Sequence, residues 1–121
     1  MAAGTLQISR RGTRRPVSVV RRIVVFNFTI PKGQSRSTRS FQLRNVINRG
    51  EVIVSQSAAG GALVRYQFVN ATTGAPVSNA VTVSGNRTVV LPFSLPAGND
   101  RLRITNIGST TATVEGAVII F

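Results

Sequence analysis

Apolar and polar residues alternate with a period of two along most of the chain after residue 20, the pattern of half-buried β-strands. In residues 21–30, Val24, Phe26, Phe28 and Ile30 share one face, and Pro31-Lys32-Gly33 ends the run. A polar loop follows through Ser40. Residues 40–44 then alternate Phe41 and Leu43 with Gln42 and Arg44. Asn48-Arg49-Gly50 turns the chain into 51–56, where Val52 and Val54 share a face. Gly60-Gly61 breaks the pattern again before 62–70, in which Val64, Tyr66 and Phe68 oppose Arg65 and Gln67. Thr72-Thr73-Gly74 leads to 77–84, and Gly85-Asn86 is a tight hairpin signal before 87–93. After Pro96-Ala97-Gly98-Asn99, residues 101–106 set Leu102 and Ile104 inward and Arg101 and Arg103 outward. The stretch 111–121 is apolar on both faces toward its end and reads as a central strand.

The pattern predicts eight strands in residues 21–121, an all-β fold best met by a single jelly-roll β-sandwich of two four-stranded sheets. An immunoglobulin-like Greek key is the alternative. Pro92 and Pro96 suit strand ends or edges, since neither donates to a ladder. Residues 51–56 and 77–84 carry few charges and read as unguarded sheet edges. Residues 1–20 are too polar and interrupted for a core of their own and form an extended N-terminal connector arm. Within the arm, 5–9 and 16–20 can each add as a strand to a sheet edge, in this subunit or a neighbour. The residues expected to make that assembly arm are Leu6, Ile8, Arg10, Arg11, Arg14, Arg15, Val17 and Val19.

Composition supports strands. Val, Ile and Thr make up 38 of 121 residues, whereas Glu, Lys and Met together supply four. No apolar run is long enough to span a membrane, so none is expected as a partner. The start MAAGTLQISRR lacks the apolar region of a secretory signal. Synthesis in the cytoplasm is therefore expected, with any later exposure by another route such as lysis of the producing cell. The sequons at Asn27, Asn70 and Asn86 mean little without secretion.

The chain has no His and no Cys, and its acids are Glu51, Asp100 and Glu115, well apart in sequence. Acid–base pairs, thiol nucleophiles and the common metal sites lack their residues, so neither an enzyme, a cofactor nor a small-molecule substrate is expected. Gly60-Gly61 is followed by no Lys-Ser/Thr and reads as a loop; Asp100 reads as a turn residue. Against three acids stand 14 Arg and Lys32, a formal charge of +12. Residues 1–50 hold 11 basic residues and no acid, whereas 51–121 hold four basic and three acidic ones. The cluster Arg10, Arg11, Arg14, Arg15, Arg21 and Arg22 is a candidate polyanion contact, or a set of contacts between subunits. Interleaved aromatics, which a single-strand binder uses for stacking, are missing from it. The seven aromatics fall mostly on apolar faces and read as core.

Residues 61–121, GALVRYQFVNATTGAPVSNAVTVSGNRTVVLPFSLPAGNDRLRITNIGSTTATVEGAVIIF, resemble the bacterial endospore-appendage fibre subunits. The likeness lies in a series of short Val/Thr strands joined by a Thr-Gly turn and a Gly-containing hairpin, closing on an apolar strand. The resemblance implies a jelly roll whose sheets pair side by side in a helical fibre, with an N-terminal connector clamping distant subunits. It makes 1–20 the connector and residues 21–30, 40–44 and 77–87 the lateral edges. Those relatives carry cross-linking cysteines and are not arginine-rich, so contacts here would be non-covalent. The expected function is a structural subunit that polymerises with itself, located outside the cell or on the spore surface. The alternative is a small viral capsid or decoration protein whose basic arm meets nucleic acid in the virion. A lone nucleic-acid-binding module is a third option.

Overall fold

Ten strands, and no helix, carry the described residues of the computed structural model, which are 4–8 and 19–121. In chain order they are β1 (Thr5–Leu6), β2 (Arg22–Ile30), β3 (Ser35–Ser37), β4 (Phe41–Leu43) and β5 (Asn48–Ala58). There follow β6 (Leu63–Asn70), β7 (Val81–Ser84), β8 (Arg87–Leu95), β9 (Gly98–Asn106) and β10 (Ala112–Ile120). They form two antiparallel sheets. The first runs β1-β8-β5-β10-β2; the second runs β3-β9-β6-β7, with β4 also paired to β9.

Alternation decides which face each strand buries. Val24, Phe26 and Ile30 of β2, Val52 and Val54 of β5, and Val114 and Val118 of β10 point into the space between the sheets. Val64, Tyr66 and Phe68 of β6 and Leu102 and Ile104 of β9 meet them there. The Phe68 ring holds the centre, edge-on to Phe41 at 6.0 Å and tilted against Phe93 at 4.7 Å. The final strand is central, as its two-sided apolar pattern predicts: Val118 of β10 lies opposite Val24 on one side and Val52 on the other.

Several strands differ from the sequence expectation. The stretch 51–56, read as an unguarded edge, belongs to β5 and lies in mid-sheet between β8 and β10. Only the second half of 77–84 is strand, because Ser78 leaves the ladder to accept from Phe68 N through its Oγ at 3.0 Å. β3 forms where a polar loop was expected; its Ser35 hydroxyl meets that of Thr105 across the ladder at 2.8 Å. β9 starts at Gly98, so Asp100, read as a turn residue, is a buried strand residue opposite Phe41 and Asn70. Gly85-Asn86, expected to close a hairpin, instead carries the chain from one sheet to the other: β7 pairs with β6 and β8 with β1 and β5, and Gly85 makes the turn at φ 96°, where a side chain is strained.

Two polar side chains tie the layers together. Tyr66 Oη donates to Gln56 Oε1 at 2.7 Å, and Gln56 Nε2 donates to the carbonyls of Val83 at 2.9 Å and Gly85 at 2.8 Å. This chain runs from β5 of one sheet to β6 and β7 of the other, and burial pushes the Tyr66 phenol far above its ordinary pKa. Asn86 performs a similar task at the surface: its Oδ1 accepts from Ala58 N and Ala62 N, clamping the β5–β6 turn.

Candidate assembly surfaces

The first described segment docks as an added strand. Leu6 lies opposite Phe93 of β8 and is 2% exposed. On its other side a side-chain amide takes the place of a neighbouring strand: Leu6 N donates to Asn79 Oδ1, and Asn79 Nδ2 donates to Leu6 O, each at 3.0 Å. Gly4 N donates to Val77 O at 2.7 Å and Gln7 N to Pro92 O at 2.9 Å. A Cβ on Gly4 would collide with the Leu95 side chain and the Val77 carbonyl, so only glycine fits there. Residues 4–7 therefore add to a sheet edge of their own chain. Ile8 is exposed beyond it, and Val19 is 80% exposed. Arg10, Arg11, Arg14, Arg15 and Val17 lie outside the described residues.

Pro92 sits where its missing N–H costs little. Its carbonyl accepts from Gln7, and in an extended residue N and O point to the same side, so the absent donor faces the β1 edge and not β5.

At the opposite end of the same sheet, β2 is an edge of nine residues. Among the described residues no strand pairs with its outer side. Proteins usually blunt such an edge with brevity, proline or charge. β2 has no proline, and its one charged residue is the terminal Arg22. The other expected lateral edges also fall at margins: β4 lies beside β3 along one side of β9, and β7 closes the other end of that sheet.

The two outer faces differ in chemistry. On the first sheet, cross-strand rows bring together Ile23, Ile119, Glu51 and Pro92, then Val25, Ala117, Ile53 and Val90, then Asn27, Glu115, Ser55 and Thr88. Ile23 is 50% exposed and Val25 73% exposed, an uncommon amount of apolar surface for the solvent side of an antiparallel sheet. On the second sheet the outward positions are the half-buried Arg101, Arg103 and Thr105 of β9 and, on β6, the exposed Arg65 with the half-buried Leu63 and Gln67; Val69 alternates to the same side but is covered. The acids divide accordingly: Glu51 and Glu115 are on the first face, and Asp100 points inward.

Arg21 and Arg22 of the candidate polyanion contact are both exposed. They line a small cavity at one end of the sandwich together with Arg44, Gln42, Asn45 and Asn48. Arg22 Nη1 donates to Gln42 O at 3.3 Å, which ties the start of β2 to the middle of β4. Asn48 shapes the intervening loop by accepting from Asn45 N at 3.1 Å and donating to Asn45 O at 2.8 Å. Arg44 is absent from the cluster expected from sequence, because it is far along the chain from its two neighbours in space.

Among the described residues no group of His, Cys, Asp or Glu is placed to hold a metal ion, and no helix is long and apolar enough to cross a membrane. Compared with known protein families, curated proteins and solved structures, the chain matches none.

Proposed function

We propose that this chain is a structural subunit that self-assembles into a non-covalent helical filament of the extracellular or spore-surface appendage type. The observation that carries the reading is the long, unguarded outer edge of β2. A nine-residue edge is a template on which another chain gains a full row of backbone hydrogen bonds. The fold reading is a jelly roll with an N-terminal connector. Its support is the strand order β2-β10-β5-β8 facing β3/β4-β9-β6-β7, in which strands distant in sequence alternate between two sheets. The docked Leu6 segment supports arm docking, since the same hydrogen bonds serve whether the strand comes from this copy or the next.

A subunit of charge +12 repels its own kind, so polymerisation needs screening. Sedimentation of the purified protein across a sulfate series tests this: mass should move from monomer to large species as sulfate rises. Monomer throughout would contradict the proposal.

The second reading is a small viral capsid or decoration protein that meets nucleic acid through its basic residues. The cavity lined by Arg21, Arg22 and Arg44 favours it, because three guanidinium groups converge with no Asp or Glu side chain in the lining. Retardation of DNA that is lost in Arg22→Gln and Arg44→Gln supports this reading; no retardation at low salt argues against it.

A further inference from the structure

Edge pairing alone does not make a fibre grow. Two β2 edges that pair with each other close on a two-fold axis and stop at a dimer, so a filament needs a second contact between unlike surfaces. We propose that this contact is face to face: the outer face of the β2–β10–β5–β8 sheet of one copy stacks on the outer face of the β9–β6 region of the next. The proposal rests on the self-assembly reading and names the surfaces it would use.

Charge complementarity selects the occupant. The first face presents Glu115, exposed, and Glu51, half-buried, beside the apolar rows built on Ile23, Val25 and Ile53. The second presents Arg65, Arg101 and Arg103 on neighbouring strands, and none of the chain's three acids lies on it. Arginine suits this pairing, since its stem and planar guanidinium lie flat on apolar surface while the tip reaches a carboxylate. The obvious rival is a stack of two first faces. It would bury more apolar area but would set Glu115 and Glu51 of each copy against those of the other. Two second faces would oppose arginines and are worse.

The second face sets the area: β9 and β6 with the short β3, β4 and β7 cover roughly 20 × 20 Å, so two faces bury roughly 800 Å², a weak contact by itself that gains strength when β2 edges pair in the same fibre. Because the two faces are different, each added copy leaves the same unlike pair exposed, and growth continues wherever the rotation between copies does not close a ring.

A charge swap tests the contact. Glu115→Arg and Arg103→Glu each leave like charges facing across the stack, and each should raise the concentration needed for assembly at least tenfold. The double variant Glu115→Arg/Arg103→Glu restores opposite charges and should bring that concentration back near the parent's. Circular dichroism checks that each variant folds, and Arg65→Glu replaces Arg103→Glu if the latter does not. If the parent assembles and the single variants assemble equally well, or the double variant fails to recover, the face contact is wrong while self-assembly stands. A parent that stops at two-fold dimers overturns the face contact in favour of edge closure. A parent that stays monomeric in every salt overturns both.

Discussion

Tyr66 and Gln56 carry more of this fold than their number suggests, because a single buried chain of hydrogen bonds crosses between the sheets through them. Tyr66→Phe keeps the ring and strands Gln56 Oε1 without its donor. Such a loss costs about 1–3 kcal/mol, so the melting temperature should fall by several degrees with the strand content unchanged in far-ultraviolet circular dichroism. Asp100 behaves differently. Burial raises its carboxyl above the ordinary range, so the folded chain holds that proton more tightly than the unfolded chain does. Stability from this group is full on the acid side and declines as pH rises through the carboxylate range toward neutrality. Asp100→Asn should therefore be more stable than the parent at neutral pH and show a flatter dependence. Melts in a pH series check this, and identical slopes for the two proteins would refute it.

At the scale of the element, β1 is held by few groups and is the easiest to release. Leu6→Asp places a charge in a 2% exposed site and removes the reason for docking. Amides of Leu6 and Gln7 should then exchange freely while those of β5 stay protected, readable by hydrogen exchange; unchanged protection at Leu6 would show that Asn79 alone suffices. Assembly should add protection selectively along β2, since β5 already has neighbours on both sides. Alternation reveals β6 most plainly, where Val64, Tyr66 and Phe68 are buried and Arg65 and Gln67 face outward, and that is the signal a sequence displays. β3 was hidden because Ser35–Ser37 is polar on both faces and exists only as a partner of β9. β7 was overextended because Asn79, read as strand, is used to hold β1. Asp100 was misplaced because an acid beside Asn99 and Gly98 usually turns the chain, and its burial follows from packing that no local pattern encodes.

For the whole molecule, the charge imbalance was legible at once, but its geometry was not. Arg65, Arg101 and Arg103 fall on alternating positions in two separate runs; only the β6–β9 pairing makes them one face. The exposed Ile23 and Val25 were masked by the buried Val24 and Phe26 between and beside them, so a run apolar on both sides passed for a half-buried strand. In the proposed assembly, one basic face, one apolar face bearing two glutamates and one long open edge would give the chain directions in which to grow. With +12 per copy, long-range repulsion would oppose that growth until salt screens it, and divalent anions should do so at lower concentration than chloride. Turbidity or scattered light in matched sulfate and chloride series checks the order. The most direct measurement is electron microscopy of the purified protein at low and at moderate salt. The account predicts dispersed small particles at low salt and filaments of uniform width at moderate salt. Dispersed particles under both conditions, or closed shells in place of filaments, would contradict it.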